Sequence, residues 1–382
     1  MRRIVFVSTA TYNYENYQHS ELLGTEYQIF GLAKALSKRG FEVTILRRWY
    51  DNRYIDHVDG VRLVNISAPY LLDSSLNLVA TRLIFSKLCA RIISKMRPDI
   101  VVLSNKFTAY HILDLDIPKV FVTHEPLYDY TLPGDTISRI AWLIKRPINL
   151  KVEKKCFQKS SAIVALNKLL KIHLEREYSN VFLIPNGIDY ENYKELPEKP
   201  YILFIGRISK EKGVHILLEA FSKFVNENGR KDIKLVIAGP TKRDSYWREI
   251  TKIIKSNKLQ AYVSILPFVP LRLVRKLLAE CMVLVLPSLH ETFGIVVLEA
   301  MASGKPVIAS DIPGPNEIII NNTNGLLFRK GCVNELKVCL EKVLLDDDLR
   351  RKLSTFSKLT AKNYSFDIIA EKYIKVFNEI GH

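Results

Sequence analysis

The 382-residue sequence has no long hydrophobic run. Stretches such as Ile100–Leu103 and Met282–Leu286 fall far short of the ~20 apolar residues that a membrane-spanning helix needs, so no bilayer-crossing helix is expected. Cysteine is scarce. Cys89, Cys156, Cys281, Cys332 and Cys339 are odd in number, and no two stand at metal-ligand or redox spacing, which argues against a disulfide scaffold and fits a reducing, cytoplasmic compartment. Short-period repeats and low-complexity segments are missing too, which excludes a solenoid and a largely disordered chain. Met1-Arg2-Arg3 before Ile4–Val7 has the charge of a secretion signal, but Thr11–Tyr17 is polar and aromatic with no small-residue cleavage site, so Ile4–Val7 reads as a buried strand.

What is present is the balance of a folded protein: 48% apolar and 25% charged residues, over a length that favours two domains of roughly 150–200 residues each. Basic residues exceed acidic ones by 16, and the excess is shared between 1–187 and the remainder. Such a charge favours phosphate-rich or anionic partners, among them nucleotides, nucleic acid and acidic membrane, without choosing one.

Short β-rich runs alternate with amphipathic helices. Ile4–Ser8, Glu42–Leu46, Val61–Ile66, Ile100–Leu103 and Val120–Thr123 read as strands, with helices over Glu26–Arg39 and Asn77–Met96. A second series begins after Pro185-Asn186-Gly187-Ile188-Asp189, with strands at Tyr201–Ile205, Lys234–Ala238, Val263–Leu266, Met282–Leu286 and Pro306–Ala309 and a closing helix over Phe366–Ile380. The stretch from 190 to Pro200 has little periodicity and reads as a linker, and Gly187 as a turn residue with positive φ. The pattern gives an α/β chain of two Rossmann-like doubly wound domains, 1–187 and 188–364, with 365–382 as a helix crossing back to the first. Ligands bind outside the carboxyl ends of such strands, which points to the cleft between two such domains.

The richest segment runs from His290 to Val307. Glu291 falls in a loop after a strand, and Gly294–Met301 reads as a helix carrying Glu299 and opening at a strand's carboxyl end, where free N–H groups and the helix dipole favour an anion. Two carboxylates eight apart, one before the helix and one inside it, can grip two parts of one ligand. In Phe204-Ile205-Gly206-Arg207-Ile208-Ser209-Lys210-Glu211-Lys212-Gly213 a strand runs into a basic loop whose Arg207 and Lys212 suit a diphosphate.

These segments resemble the retaining glycosyltransferases of family 4, of GT-B fold, in which the two domains face a central cleft. The resemblance spans nearly the whole chain and is densest from 185 to 328. It implies that Glu299 holds the ribose of a nucleotide diphosphate sugar and Glu291 its sugar, with Gly206, Phe293, Gly294 and Ile295 completing the donor site. Arg207 and Lys212 would stabilise the departing diphosphate. It further implies an acceptor-binding first domain, a nucleotide-sugar-binding second one, and transfer of a hexose from a UDP- or GDP-linked donor to a hydroxyl acceptor, with a lipid-linked oligosaccharide or other glycan precursor as one candidate. The expected mechanism is a front-face displacement in which an oxygen of the diphosphate helps deprotonate the acceptor.

Leu23-Gly24-Thr25-Glu26 resembles the family's first loop but carries Leu23 where a first glycine is usual, and Gly24 is kept. Thr123-His124-Glu125-Pro126 resembles the family's histidine loop, placing His124 beside the reacting carbon. Asp114-Leu115-Asp116 has the spacing of a metal-binding Asp-x-Asp, but it precedes a strand and reads as a turn. No cofactor and no metal are expected, since Arg207, Lys212 and a helix N-terminus can neutralise the leaving group.

From Thr136 to Lys171 nine basic residues (Arg139, Lys145, Arg146, Lys151, Lys154, Lys155, Lys159, Lys168, Lys171) face one acid, Glu153, with Ile140, Trp142, Leu143 and Ile144 interleaved. That is the composition of a helix lying peripherally on an anionic membrane, and equally that of a solvated face. A nucleic-acid-binding protein, suggested by the charge, would need a recognisable binding module or interleaved aromatic and basic residues on an open surface; neither is evident, and no nucleic-acid partner is expected. A non-catalytic sugar-nucleotide sensor and a sugar-nucleotide epimerase on the same fold rank below the transferase because the motif residues are intact.

Overall fold

The computed structural model describes residues 2–8, 24–49, 55–67, 75–124, 136–242, 244–267 and 269–381, with the side chains of 49, 55, 75–78 and 136–145 left out. Leu23, Glu125, Pro126 and the polar run 11–17 lie outside the described residues, as do the side chains of Arg139, Ile140, Trp142, Leu143, Ile144 and Lys145. The chain forms two compact units: the described residues of 1–187 with 366–381, and those of 188–365.

The first unit runs β1 (Arg3–Ser8), α1 (Gly24–Ser37), β2 (Glu42–Trp49), β3 (Ile55–Val58), β4 (Val61–Ser67), α2 (Ser75–Met96), β5 (Ile100–Leu103), α3 (Lys106–Ala109), β6 (Lys119–Thr123), α4 (Thr136–Lys159), β7 (Ala162–Ala165), α5 (Lys168–Leu174) and β8 (Val181–Leu183). Its strands form one sheet in the order β3-β4-β2-β1-β5-β6-β7-β8. Successive strand residues point to opposite faces, and both faces are covered, so β1 is apolar at every position from Ile4 to Val7. Ile4 and Phe6 join Val102, Val120 and Val164 under α1, whereas Val5 and Val7 join Val101, Phe121 and Ile163 under Phe85, Cys89 and Ile93 of α2 and Phe157 of α4.

The sheet is not wholly parallel. β3 pairs antiparallel with β4 through Asp59-Gly60, both at positive φ (52° and 80°). An Asp-Gly pair between two β-rich runs is the strongest local sign of a tight hairpin, and Asp59-Gly60 is one.

The second unit runs β9 (Tyr201–Ile205), α6 (Val214–Asn228), β10 (Lys234–Ala238), α7 (Ser245–Ser256), β11 (Val263–Leu266), α8 (Leu271–Glu280), β12 (Val283–Leu286), α9 (Ile295–Ala302), β13 (Val307–Asp311), α10 (Pro315–Ile318), β14 (Leu326–Arg329), α11 (Val333–Leu345) and α12 (Asp347–Lys362). All six strands are parallel, in the order β11-β10-β9-β12-β13-β14. One face packs Ile202, Phe204, Val283 and Val285 against Leu217, Phe221 and Phe224 of α6 and Leu340 of α11; the other packs Leu203, Leu284 and Leu286 against Val297, Leu298 and Met301 of α9.

The closing helix α13 (Phe366–Ile380) belongs to the first unit. Its Ile369, Tyr373 and Phe377 complete the α1 side of that core, and Arg39 holds Asp367 at 2.6 Å. Gly187 is not at positive φ, contrary to the reading of it as such a turn residue. Glycine is needed there because a Cβ would stand 2.5 Å from the Phe366 ring, and the Gln28 side-chain amide pairs with both the Gly187 N–H and its carbonyl (2.7 and 2.8 Å). The expected linker 190–200 is likewise part of the second unit's structure. The Leu196 N–H donates to the Ala279 carbonyl (3.1 Å), the Lys199 N–H to the Glu280 carbonyl (2.7 Å), and Tyr193 is buried. Backbone hydrogen bonding to α8, which hydropathy does not record, fixes this segment.

Candidate functional site

In the second unit, β9 continues to β10 on one side while β12 and β13 extend on the other, so the direction of winding reverses between β9 and β12. A reversal of this kind opens a crevice at the carboxyl ends of the two strands. The loop after β9 carries Gly206, Arg207 and Lys212; the loop after β12 carries Glu291 and runs through Phe293 and Gly294 into α9. Residues distant in sequence therefore meet for a topological reason.

The two loops are tied together. The Leu289 N–H donates to the Glu211 carbonyl at 2.7 Å, and Gly213, at φ 68°, stands so close to Pro287 that a Cβ would lie 2.0 Å from its carbonyl oxygen. Across this junction Lys212 Nζ lies 2.6 Å from Glu291 Oε1, and the Ser288 hydroxyl donates to the same oxygen at 2.9 Å. The two side chains are only 16% and 12% exposed, so their interaction is weakly screened and the pair is fixed in place. Arg207 is different: its side chain is 65% exposed and approaches Glu211 only at 3.9 Å. A long, solvated pair of this kind contributes little to stability and leaves the guanidinium able to turn toward an anion.

Gly294 caps α9 at φ 84°, ψ 59°, and Ile295 is the first helical residue. The first N–H groups of a helix have no partner within it, and together with the helix dipole they favour an anion. The Phe293 side chain is buried in the core, its ring 6.2 Å from that of Tyr364, so at this position the backbone and not the ring is turned toward the start of α9.

Glu299, in α9, is half-buried, and the Tyr193 hydroxyl donates to its Oε1 at 2.8 Å. Burial raises the Glu299 carboxyl above its ordinary value, opposed by the Tyr193 hydrogen bond and the charge of Arg275. Arg275, from α8, covers the Tyr193 ring at 5.5 Å, and its Nε is buried without a hydrogen-bond partner. The sequence reading missed Tyr193, Ser288 and Arg275. Ser288 stands three residues before Glu291 and could have been found by proximity; no local pattern signals Tyr193 or Arg275.

In the first unit, His124 directly follows β6 and lines a cavity of about 280 Å³ with Glu26, Asn105 and Lys106. Gly24, the first residue of α1, is exposed and is not among the lining residues, which include Thr25 and Glu26. Asp114 accepts a hydrogen bond from Lys155 (2.8 Å) at the entry to β6. Among the described residues no group of three His, Cys, Asp or Glu side chains could hold a metal ion.

Comparison with known proteins bears on this geometry. The family described as "Glycosyl transferases group 1" matches residues 189–360, the unit containing the Lys212–Glu291 pair, and "Glycosyltransferase Family 4" matches residues 23–192. The chain belongs to the group 1 glycosyltransferases. Among the relatives of this chain is an uncharacterized glycosyltransferase of Methanocaldococcus jannaschii, 29% identical over 58% of this chain and 60% of that protein. The matched region thus covers less than two thirds of that relative's length. Sucrose-phosphate synthase from Thermosynechococcus elongatus superposes with a TM-score of 0.83 at 20% identity, over 99% of each chain. Anabaena HepE, solved with UDP and glucose, superposes at 0.74 and 18% identity over 99% of this chain and 100% of that one. These likenesses establish the GT-B fold for the chain.

Among the described residues no helix is long and apolar enough to cross a membrane. Within the basic segment, Arg146, Lys151, Lys154 and Lys159 are exposed beside exposed Ile148 and Leu150, while Lys155 is drawn in against Asp114 and the Tyr110 ring, and Glu153 is buried.

Proposed function

We propose that the protein is a retaining glycosyltransferase that moves a hexose from a UDP- or GDP-linked donor to a hydroxyl acceptor without a metal ion. The observation that carries this reading is the Lys212–Glu291 pair at the reversal between β9 and β12, beside the N-terminus of α9. A diphosphate brings two negative charges to a place where Lys212, Arg207 and the first N–H groups of α9 can share them, and where its arrival frees Glu291 from Lys212 to meet the sugar hydroxyls. Glu299, held at one oxygen by Tyr193, keeps its other oxygen for the ribose.

In the transfer, the bond from the anomeric carbon to the diphosphate oxygen breaks while the acceptor oxygen bonds to that carbon from the same face. The acceptor proton passes to a diphosphate oxygen, and the charge left on the diphosphate is stabilised by Arg207 and Lys212. His124 acts beside the reacting carbon, and the loop at Gly24 approaches the substrate. The first unit supplies the acceptor site, the second the donor site. The exposed basic and apolar residues of α4 support a lipid-linked acceptor met at an anionic membrane on its cytoplasmic side.

The test is a panel of nucleotide sugars scored by thermal shift, then by release of nucleoside diphosphate. A ligand at 100 times its Kd stabilises the fold by about 2.7 kcal/mol, which a melting curve resolves. The reading requires one donor base to stabilise and its nucleotide sugar to be consumed; no shift with any member of the panel contradicts it.

A further inference from the structure

Arg275, in the second turn of α8, is a cation that the fold does not use as a tether. Its guanidinium makes no hydrogen bond or ion pair with another described residue, and its Nε is shielded from solvent without a partner. The relations it does have converge on one carboxylate. The guanidinium carbon lies 5.5 Å from the centre of the Tyr193 ring, within cation–π range, the Tyr193 hydroxyl donates to Glu299 Oε1 at 2.8 Å, and the charge of Arg275 acts on Glu299 itself. The segment before β9, α8 and α9 each supply one member of this stack.

Packing alone does not account for it. A buried N–H without an acceptor costs stability, and a methionine of similar length would cover the same ring without that cost. What methionine lacks is positive charge. Glu299 needs one nearby, because burial opposes its ionised form and the ionised carboxylate is the form that offers two acceptor oxygens.

The other charges on the elements packed against α9 are engaged elsewhere or face water. Arg272 and Lys276 of α8 are exposed, and Glu280 pairs with Lys199. Arg350 and Lys358 of α12 pair with Glu198 and Glu195, and the remaining charges of α12 are exposed. Asp311 of β13 accepts from Asn316, and Glu317 of α10 acts on Tyr364.

We infer that Arg275 is a positioning residue of the donor site: it clamps the Tyr193 ring and so fixes the Glu299 carboxylate with one oxygen on the phenol and the other open to a ribose hydroxyl. Its charge balances that of the half-buried carboxylate, and it acts on the ligand only through these two neighbours. The inference rests on the reading of Glu299 as the group that holds the ribose and adds the residue that keeps it ready.

The experiment is calorimetry on the full chain with UDP and with GDP, at about pH 6 and about pH 8.5, with a melting curve for each protein. Wild type, Arg275→Met, Arg275→Lys, Glu299→Gln and the Arg275→Met/Glu299→Gln double variant are compared. The expected result is that Arg275→Met melts no lower than the wild type, yet binds the preferred nucleotide about ten-fold more weakly at the lower pH. The deficit shrinks at the higher pH, because loss of the cation makes Glu299 hold its proton more tightly and alkali removes that proton again. Arg275→Lys regains most of the affinity. In the Glu299→Gln background Arg275→Met weakens binding no further, since the carboxylate through which it acts is gone.

Equal affinity in wild type and Arg275→Met overturns the inference. So does a deficit that is the same at both pH values and comes with a lower melting temperature, which makes Arg275 a packing residue. A deficit that persists in full beside Glu299→Gln overturns it as well, because Arg275 then meets the ligand directly. Should Arg275→Met fail to fold, Arg275→Gln carries the same comparison. If the wild type binds neither nucleotide, the donor reading fails and this inference with it; if it binds one and the Arg275 variants match it, this inference alone fails.

Discussion

Lys212 and Glu291 meet at 2.6 Å although 79 residues separate them, because their loops end β9 and β12, the neighbouring strands between which the second sheet reverses. The pair carries opposite charges in a recess largely closed to water, and a nucleotide diphosphate sugar offers a partner to each. In the proposed reading the cation faces the diphosphate and the carboxylate faces the sugar.

If Lys212 and Arg207 stabilise charge that grows on the leaving diphosphate, replacing either by Ala lowers kcat by ~10²–10³, the usual effect of losing a preorganised electrostatic donor. The same turnover assay run in EDTA retains its rate in the wild type. Wild-type turnover in Lys212→Ala removes that residue from the mechanism, and activity abolished by EDTA and restored by Mg²⁺ shows that a metal takes part.

The two carboxylates separate by ligand. Glu299→Ala weakens even the free nucleoside diphosphate, by ~1–3 kcal/mol for lost charge-assisted hydrogen bonds. Glu291→Ala leaves the nucleoside diphosphate bound and weakens only the sugar-bearing donor. Calorimetry giving the opposite pattern reverses the two roles.

Tyr193→Phe tests the support beneath Glu299. Burial raises the Glu299 carboxyl, and the Tyr193 hydrogen bond works against that rise. Without the hydroxyl the carboxyl climbs further, so on acidification nucleoside diphosphate affinity falls at a higher pH in the variant than in the wild type. Stability carries the matching sign. The folded carboxyl holds its proton more tightly than the unfolded chain, so the stability it contributes at low pH is lost as pH rises from the ordinary 4.5 through the raised folded value, and the variant extends that loss to higher pH. Superimposable affinity profiles in calorimetric titrations from about pH 5 to about pH 8 leave Tyr193 without this role.

How far the sequence exposed this arrangement depended on how local each signal was. β1, β9 and β12 are short apolar runs bounded by breakers, and α13 has a clear 3.6-residue stripe, so their identities are legible in any reading of the chain. β8, of three residues, carries too little pattern to separate from loop, and β14 has only three apolar residues before the charged Arg329. The Asp59-Gly60 hairpin was legible in principle, since that dipeptide demands two positive φ values. Tyr193 and Arg275 were not legible at all. Their meaning comes from contact with Glu299, more than a hundred residues after Tyr193, and a stretch of low periodicity conceals it. Phe293 shows the converse: within a motif that the resemblance marks as a donor site, an aromatic side chain serves the core.

The exposed basic face of α4 gives a membrane prediction. Each Lys or Arg close to an anionic surface contributes about 1 kcal/mol, so Arg146, Lys151, Lys154 and Lys159 together give reversible attachment that salt weakens as the screening length shrinks from ~10 Å at 0.1 M to ~3 Å at 1 M. Sedimentation with anionic liposomes at low salt pellets the wild type and leaves a Lys145→Glu, Arg146→Glu, Lys151→Glu variant in the supernatant. A wild type that also stays in the supernatant makes the patch an ordinary solvated face.

The most direct measurement is a crystal structure of the chain grown with UDP or GDP, whichever stabilises it. The account predicts diphosphate density between the Lys212 ammonium and the first N–H groups of α9, with Glu291 released from Lys212 and the ribose hydroxyls on the Glu299 carboxylate. Nucleotide bound elsewhere on the chain, or bound there with Lys212 still paired to Glu291 and the ribose turned away from Glu299, contradicts it.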